Sequence, residues 1–204
     1  MIARSVALAC LFAAILGAQG RLVDGPFVLV IGPPGSGKST QGVLAAKKLG
    51  VPVVSVDELT EANREVFEKT RRGVLSGMEP ETDPRLNPVF AKRLEKGDLA
   101  KGAVIEGYPA TKDHADFLAK MISERKLPSP VILQLTVPDE VARKRLEGAP
   151  GKTPESVEQR LKDYYRELGA LSLYFPDADV NPVDGSMSPE EVAAAISKII
   201  EQKF

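Results

Sequence analysis

Gly32-Pro33-Pro34-Gly35-Ser36-Gly37-Lys38-Ser39-Thr40, entered from the apolar run Phe27-Val28-Leu29-Val30-Ile31, is the stretch that decides the fold. An unbroken apolar run of that length suits a strand buried on both faces of a parallel sheet. After the loop, the Ala, Leu and Lys content through Leu49 predicts a helix, and Gly50 marks its end. Strand, glycine loop and helix in that order form the context in which G-x-x-x-x-G-K-[ST] binds phosphate. The glycines let the backbone curl so that the loop, with Gly32, Pro33, Gly35, Ser36 and Gly37 as candidate phosphate-binding residues, turns the N–H groups of its non-proline residues inward. The helix N-terminus adds partial positive charge at the same place. Lys38 then reaches β- and γ-phosphates, and Ser39 or Thr40 approaches a Mg²⁺ ion bound with them. The competing reading is an ordinary strand-to-helix turn rich in Gly and Pro. A fully occupied motif with the correct flanks argues against it.

Outward from this loop, strand-like and helix-like segments alternate to the end of the chain. Further strands are predicted at Pro52–Val56, Ala103–Glu106, Val131–Val137 and Asp179–Val183. Helices are predicted at about 38–49, 57–73, 86–96, 112–125, 139–147, 155–174 and 188–202. Pro138-Asp139-Glu140 and Ser188-Pro189-Glu190-Glu191 place Pro and acidic residues where first helical turns favour them. The fold class that follows is α/β, a three-layer phosphate-loop fold with a five-stranded parallel sheet flanked by helices. No repeat or low-complexity tract interrupts it. Gly73–Asn87 and Gly148–Pro154 are dense in Gly, Pro and charge and read as mobile loops rimming the site.

The 204 residues suit one such domain. A formal net charge of −1, from 27 basic and 28 acidic residues, gives no electrostatic reason to expect a nucleic-acid partner. The first twenty residues differ from the rest. Arg4 is followed by Ser5–Ala18 without a single charge, ending in small residues, which resembles a secretory signal. The run falls short of the roughly 20 apolar residues of a membrane span. Residues 1–20 are therefore expected to be a signal peptide or an N-terminal anchor, ahead of a 21–204 domain with no stable span. An extension outside the functional protein is a further possibility. Export is the favoured localisation, and a cytoplasmic one follows if the segment is not a working signal. The single cysteine, Cys10, lies in this run, so the domain has no disulfide framework and no cysteine metal site. Export sits uneasily with a phosphate-loop protein, because phosphoryl donors are scarce outside cells.

Val104-Ile105-Glu106-Gly107-Tyr108-Pro109 closes the third strand. A carboxylate at the end of a buried strand beside a phosphate loop can hold Mg²⁺ or its water ligands, which makes Glu106 a metal candidate with Ser39. The plainer alternative is a carboxylate that solvates a strand end.

With these residues in view, the chain resembles the adenylate kinase and nucleoside monophosphate kinase family. GPPGSGKSTQ, ending at Gln41, is similar to that family's opening, and Glu106-Gly107-Tyr108-Pro109 to its acidic-Gly-aromatic-Pro segment. Val137-Pro138-Asp139-Glu140 with Arg145-Leu146 resembles the strand and helix leading to its lid. Arg160-Leu161, Tyr164, Leu171 and Tyr174-Phe175 fall at the spacing of its next helix, and Val183-Asp184-Gly185-Ser186 resembles its closing turn. The likeness runs from about 27 to 202.

The resemblance implies phosphoryl transfer from ATP, with Mg²⁺, to a nucleoside monophosphate, AMP by default. It implies small-molecule nucleotide partners and a monomer. It implies a small acceptor-binding helical insertion at about 55–90 and a short lid at about 148–154. Lys38 would bind donor phosphates, Arg145 would meet the donor base or its phosphates, and Arg160 would stabilise the transferring group. The backbone near Ser186 and Met187 would border adenine. Glu58, Arg64 and Gly107 would lie on the acceptor side, with His114 where the family has a base-reading Gln. A surface position on its helix is the plainer expectation for His114.

The departures are equally specific. The family's acceptor Arg after the Gly-aromatic-Pro segment is Ala110, and its Thr-Gly-Asp and Arg become Val54-Ser55-Val56-Asp57-Glu58 with Arg64 as the nearest cation. The lid offers Ala149, Gly151 and Lys152, and position 39 is Ser. Two alternatives follow: a kinase of another small molecule, with Glu58 or Asp57 as base, or a nucleotide-binding module with little catalysis.

Overall fold

β1 (Phe27–Ile31) is buried along its whole length, and its alternate residues feed two different cores. The computed structural model describes residues 21–71, 82–124, 126–147, 153–174 and 179–204. Around β1 stand β2 (Val53–Ser55), β3 (Ala103–Glu106), β4 (Val131–Thr136) and β5 (Asp179–Asp184). All pair in parallel, in the order β2-β3-β1-β4-β5. The helices are α1 (Lys38–Leu49), α2 (Val56–Ala62), α3 (Arg64–Arg71), α4 (Leu86–Leu94), α5 (Lys112–Ser123), α6 (Asp139–Glu147), α7 (Pro154–Tyr174) and α8 (Pro189–Lys203). The predicted three-layer, five-stranded parallel architecture is the one observed.

Phe27, Leu29 and Ile31 point into a core shared with Leu59 of α2, Leu86, Phe90 and Leu94 of α4, and Leu118 of α5. Val28 and Val30 point the other way, against Ala45 and Ala46 of α1 and Val192, Ile196 and Ile200 of α8. Burying an aliphatic side chain this fully is worth about 1.5–3 kcal/mol, so this alternation holds helices on both sheet faces. A smaller cluster of Val137, Ala142, Val157 and Leu161 joins α6 to α7. Among the described helices none is long and apolar enough to cross a membrane.

The register levels the strand ends that matter. Glu106 lies opposite Val30 on one side and Ser55 on the other. A phosphate loop leaving β1 therefore meets the last residue of β3 and the start of α2.

Local chemistry moves several predicted boundaries. The helix expected over 57–73 is two, α2 and α3, with 72–73 outside the described residues. Ser55 caps α2 by accepting the Glu58 N–H, which pulls Val56 out of the strand and into the helix. The break comes at Asn63, whose side-chain amide donates to the Leu59 carbonyl at 2.8 Å while its own carbonyl accepts from Val66 N–H. A side chain that takes over a helical carbonyl offers the backbone a way out of the helix. α8 starts one residue late because Ser188 caps it, in a capping box with Glu191.

The N-terminal segment 1–20, residues 72–81 of the expected insertion, 148–152 of the expected lid, and Phe175 lie outside the described residues. The described part of the first loop, 82–87, is a hydrogen-bonded turn into α4. Asp83 carbonyl accepts from Leu86 N–H, and its carboxylate accepts from the Arg85 backbone N–H at 2.9 Å.

Candidate functional site

The glycines of the loop have separate tasks. Gly35 has φ +79°, and a Cβ there would lie 2.8 Å from the Ala142 carbonyl oxygen, so α6 packs directly on its backbone. Gly37 caps α1 with φ +91° and has open space around its Cα, so the left-handed backbone alone calls for glycine. Across this turn the Pro33 carbonyl accepts from Ser36 N–H at 3.1 Å and from Lys38 Nζ at 3.2 Å, closing the curl. The first turn of α1 carries no acidic residue, which leaves its amide ends to an anion. Gly32, Pro33 and Ser36 are buried beneath the rim. The Ser36 hydroxyl is a buried polar atom without a hydrogen-bond partner among the described residues.

Above the loop lies a cavity of about 300 Å³. Gly35, Gly37, Lys38, Ser39 and Thr40 form one wall. Val56, Asp57, Glu106 and Gly107 form the second, and Leu146 and Arg160 the third. The structure thus gathers Gly35, Gly37, Lys38, Ser39 and Thr40 of the predicted loop with Glu106, Gly107 and Arg160 around one space, whereas Gly32, Pro33 and Ser36 lie outside its lining. Glu106 is 6% exposed, and its Oε1 accepts a hydrogen bond from Ser39 Oγ at 3.2 Å. A hydroxyl and a carboxylate this close are hard oxygen donors of the kind Mg²⁺ takes alongside phosphate oxygens. Among the described residues no group of three or more His, Cys, Asp or Glu side chains forms a cage of its own. The donor set therefore fits an ion that arrives with a polyphosphate.

Arg145 sits outside the cavity lining. Its Nη1 donates to the carbonyls of Gly35 at 3.2 Å and Gly185 at 2.9 Å, tying the loop to the turn between β5 and α8. Gly185 is itself pressed on the loop, since a Cβ there would lie 2.9 Å from the Ser36 carbonyl oxygen. The same turn carries Met187, half-buried against the α1 and α8 core. Gln41 Nε2 donates to the Pro189 carbonyl at 2.9 Å, a second tie between α1 and the start of α8.

The remaining acceptor candidates are placed elsewhere. Glu58 accepts from Arg93 Nε at 2.9 Å, and Arg64 is paired with Glu61 on the exposed face. Neither lines the cavity. His114, expected at a helix surface, is instead completely buried. The correction has a local reason: His114, Ala115, Leu118 and Met121 form the inward stripe of α5. Asp57, which the sequence offered only as a base for a different acceptor, does line the cavity, because it follows the cap Ser55 paired with Glu106.

The charge of the two walls differs. The cavity-lining cations among the described residues are Lys38 and Arg160, whereas the second wall presents the carboxylates Asp57 and Glu106. Arg93 is held by Asp98 and Glu58, which raise its pKa further against the opposing effect of burial. Arg85 is engaged with Asp83, the Val66 carbonyl and the Phe67 ring. Burial opposes the charged form of Asp83, but hydrogen bonds from Arg85 outweigh it and hold the carboxyl below its ordinary value.

Comparison with known proteins agrees with this geometry. Residues 30–180 match the family model described as Adenylate kinase. The chain is 32% identical over 190 residues to the Adenylate kinase of Chelativorans sp. (strain BNC1), an alignment covering 85% of this chain and 97% of that protein. It is 29% identical over 189 residues to the Adenylate kinase of Brucella ovis and to that of Brucella suis biovar 1, with the same two coverages.

Proposed function

The chain belongs to the adenylate kinase family, and from that membership we propose that it transfers the γ-phosphoryl group of ATP to AMP. It is a phosphotransferase. An oxygen of the AMP phosphate attacks the γ-phosphorus, the bond to the β-phosphate oxygen breaks, and two molecules of ADP result. No covalent enzyme intermediate is needed. Catalysis is then positioning plus neutralisation of charge on the transferring group.

The observation that carries this reading is the single cavity that brings Lys38, Ser39, Glu106, Gly107 and Arg160 together at the carboxyl ends of β1 and β3. The loop amides and Lys38 cradle the donor phosphates. Arg160, from the opposite wall, meets the group in transit. Bound Mg²⁺ would supply further neutralisation, with Ser39 and Glu106 as its protein-side donors. Arg145 keeps the loop and the β5–α8 turn in one piece, so that the donor base and phosphates are presented together.

Asp57 on the acceptor side favours weak AMP binding, because a phosphate dianion meets a carboxylate and no described guanidinium on that wall. The expected kinetics are a KM for AMP well above that for ATP. A coupled assay offering AMP, CMP, UMP, GMP and dAMP to folded protein tests the reading. Turnover confined to AMP and its close relatives supports it, and no turnover with any of the five rejects it.

Residues 1–20 are proposed to direct export, supported by Arg4 and the uncharged run that follows. A mature protein whose intact mass begins near Arg21 supports export, and a full-length mass counts against it. A monomer is proposed with it, and light scattering in solution tests that.

A further inference from the structure

We propose that His114 is a positioning residue for the acceptor side, latching the segment that leads into α4 to the loop that follows Glu106. The proposal rests on the reading of the cavity as an AMP kinase site, and it assigns His114 a role other than touching the acceptor. The ring is fully buried. Its Nε2 lies 2.9 Å from the Asp83 carbonyl oxygen, and its Nδ1 faces the Ala110 N–H at 3.5 Å. A carbonyl only accepts and an amide N–H only donates, so a single assignment satisfies both contacts. Nε2 carries the proton, Nδ1 keeps its lone pair, and the imidazole is neutral.

The ring also stacks on Tyr108, with centroids 4.9 Å apart, and Tyr108 stacks on Phe90 of α4 at 4.4 Å. Tyr108 donates its hydroxyl proton to Asn87 Oδ1 at 2.7 Å, and Asn87 Nδ2 donates to Asp113 at 2.8 Å. The Asp83, Phe90 and Asn87 contacts join the 83–90 stretch to the 107–114 stretch, and the His114 contacts with Ala110 and Tyr108 brace the latter internally. Gly107 lines the cavity beside Glu106, so whatever shifts 107–110 moves the acceptor wall. The loop and Lys38 gain nothing from the latch. Loosening it should therefore weaken AMP binding and leave ATP binding alone.

The test uses the chain's one histidine. Nitrogen-15 correlation spectra of the wild-type imidazole should show a single neutral tautomer protonated at Nε2 near neutral pH. An averaged, solvent-like ring would overturn the proposal. His114→Phe keeps the stack on Tyr108 and loses both hydrogen bonds. It should raise the KM for AMP about tenfold while the KM for ATP and kcat stay within about twofold. His114→Gln restores a donor towards Asp83 and should recover most of the loss. An unchanged AMP KM in folded His114→Phe, or parallel changes for ATP and AMP, overturns the latch. If His114→Phe does not fold, His114→Gln and the wild-type spectrum still decide. Failure of the underlying activity would show separately, as wild-type protein that leaves AMP unphosphorylated.

Discussion

Replacing Glu106 with Gln isolates one term of the donor site. The side chain ends β3 at 6% exposure, and its Oε1 is 3.2 Å from Ser39 Oγ. Gln keeps the length and an acceptor oxygen for Ser39, so only the negative charge is removed. Hydrogen bonds to a charged group are worth about 1.5–3 kcal/mol and neutral ones about half that. The Mg²⁺–ATP complex should then lose about 1–2 kcal/mol, which is roughly 5–30-fold in kcat/KM for ATP. Fold stability should not fall, because a buried carboxylate no longer has to be desolvated. The assay is kcat/KM for ATP over a titration of free Mg²⁺, with thermal melting of the same samples. The expected result is a loss of that size, partly recovered at high Mg²⁺, with Tm unchanged or raised. An unchanged kcat/KM with wild-type Mg²⁺ dependence would refute the metal role. A loss that tracks a proportional drop in Tm would refute it too, because the damage would then be to the fold.

Lys38→Ala should weaken ATP binding at least about 100-fold by calorimetry, since the ammonium is the loop's one side-chain charge for the phosphates. Gly35→Ala should lower Tm and raise the ATP dissociation constant at least about tenfold. Its Cβ would meet the Ala142 carbonyl at 2.8 Å, on a backbone whose φ of +79° already disfavours L-residues. Asp83→Asn should cost about 2 kcal/mol at pH 7, measured by denaturant melts, because it removes a carboxylate charge that is 4% exposed and leaves Arg85 without its ionic partner. The sign with pH follows from a folded pKa held below the ordinary value. That stability is present above the unfolded carboxylate pKa of about 3.9 and disappears as pH falls through the folded value, so the two proteins should converge in acid.

The donor half was legible because it is built from contiguous chain. Phe27–Ile31, the glycine loop and α1 follow one another, and the expected strand and helix bounds are those observed. Ala103–Glu106 and Asp139–Glu147 were equally plain, the first from its apolar run and the second from Pro138 and two acids at its start. The break at Asn63 was hidden because no Gly or Pro marks it. It depends on a side-chain amide reaching the Leu59 carbonyl. The inward stripe of α5, by contrast, was present in the spacing of His114, Ala115, Leu118 and Met121. Polarity alone suggested a surface ring, and its carbonyl partner lies 31 residues away in sequence.

The acceptor half resisted reading for the same reason that makes it informative. Its wall is assembled from the start of α2 and the end of β3, which meet through sheet register, and the turn into α4 braces it through Tyr108, Asn87 and His114. Counting cations along the chain suggested that Arg64 could serve there. Geometry instead commits Arg64 to Glu61, Arg93 to Glu58 and Asp98, and Arg85 to Asp83. The Arg93 and Arg85 pairings anchor the acceptor region internally and hold those guanidinium groups away from a phosphate, whereas the Arg64–Glu61 pair is exposed and contributes little. The expected consequence is an enzyme whose ATP loop is complete and whose AMP affinity depends on shape more than on charge. Such an enzyme should lose AMP affinity only weakly with added salt, and a steep loss would contradict that account.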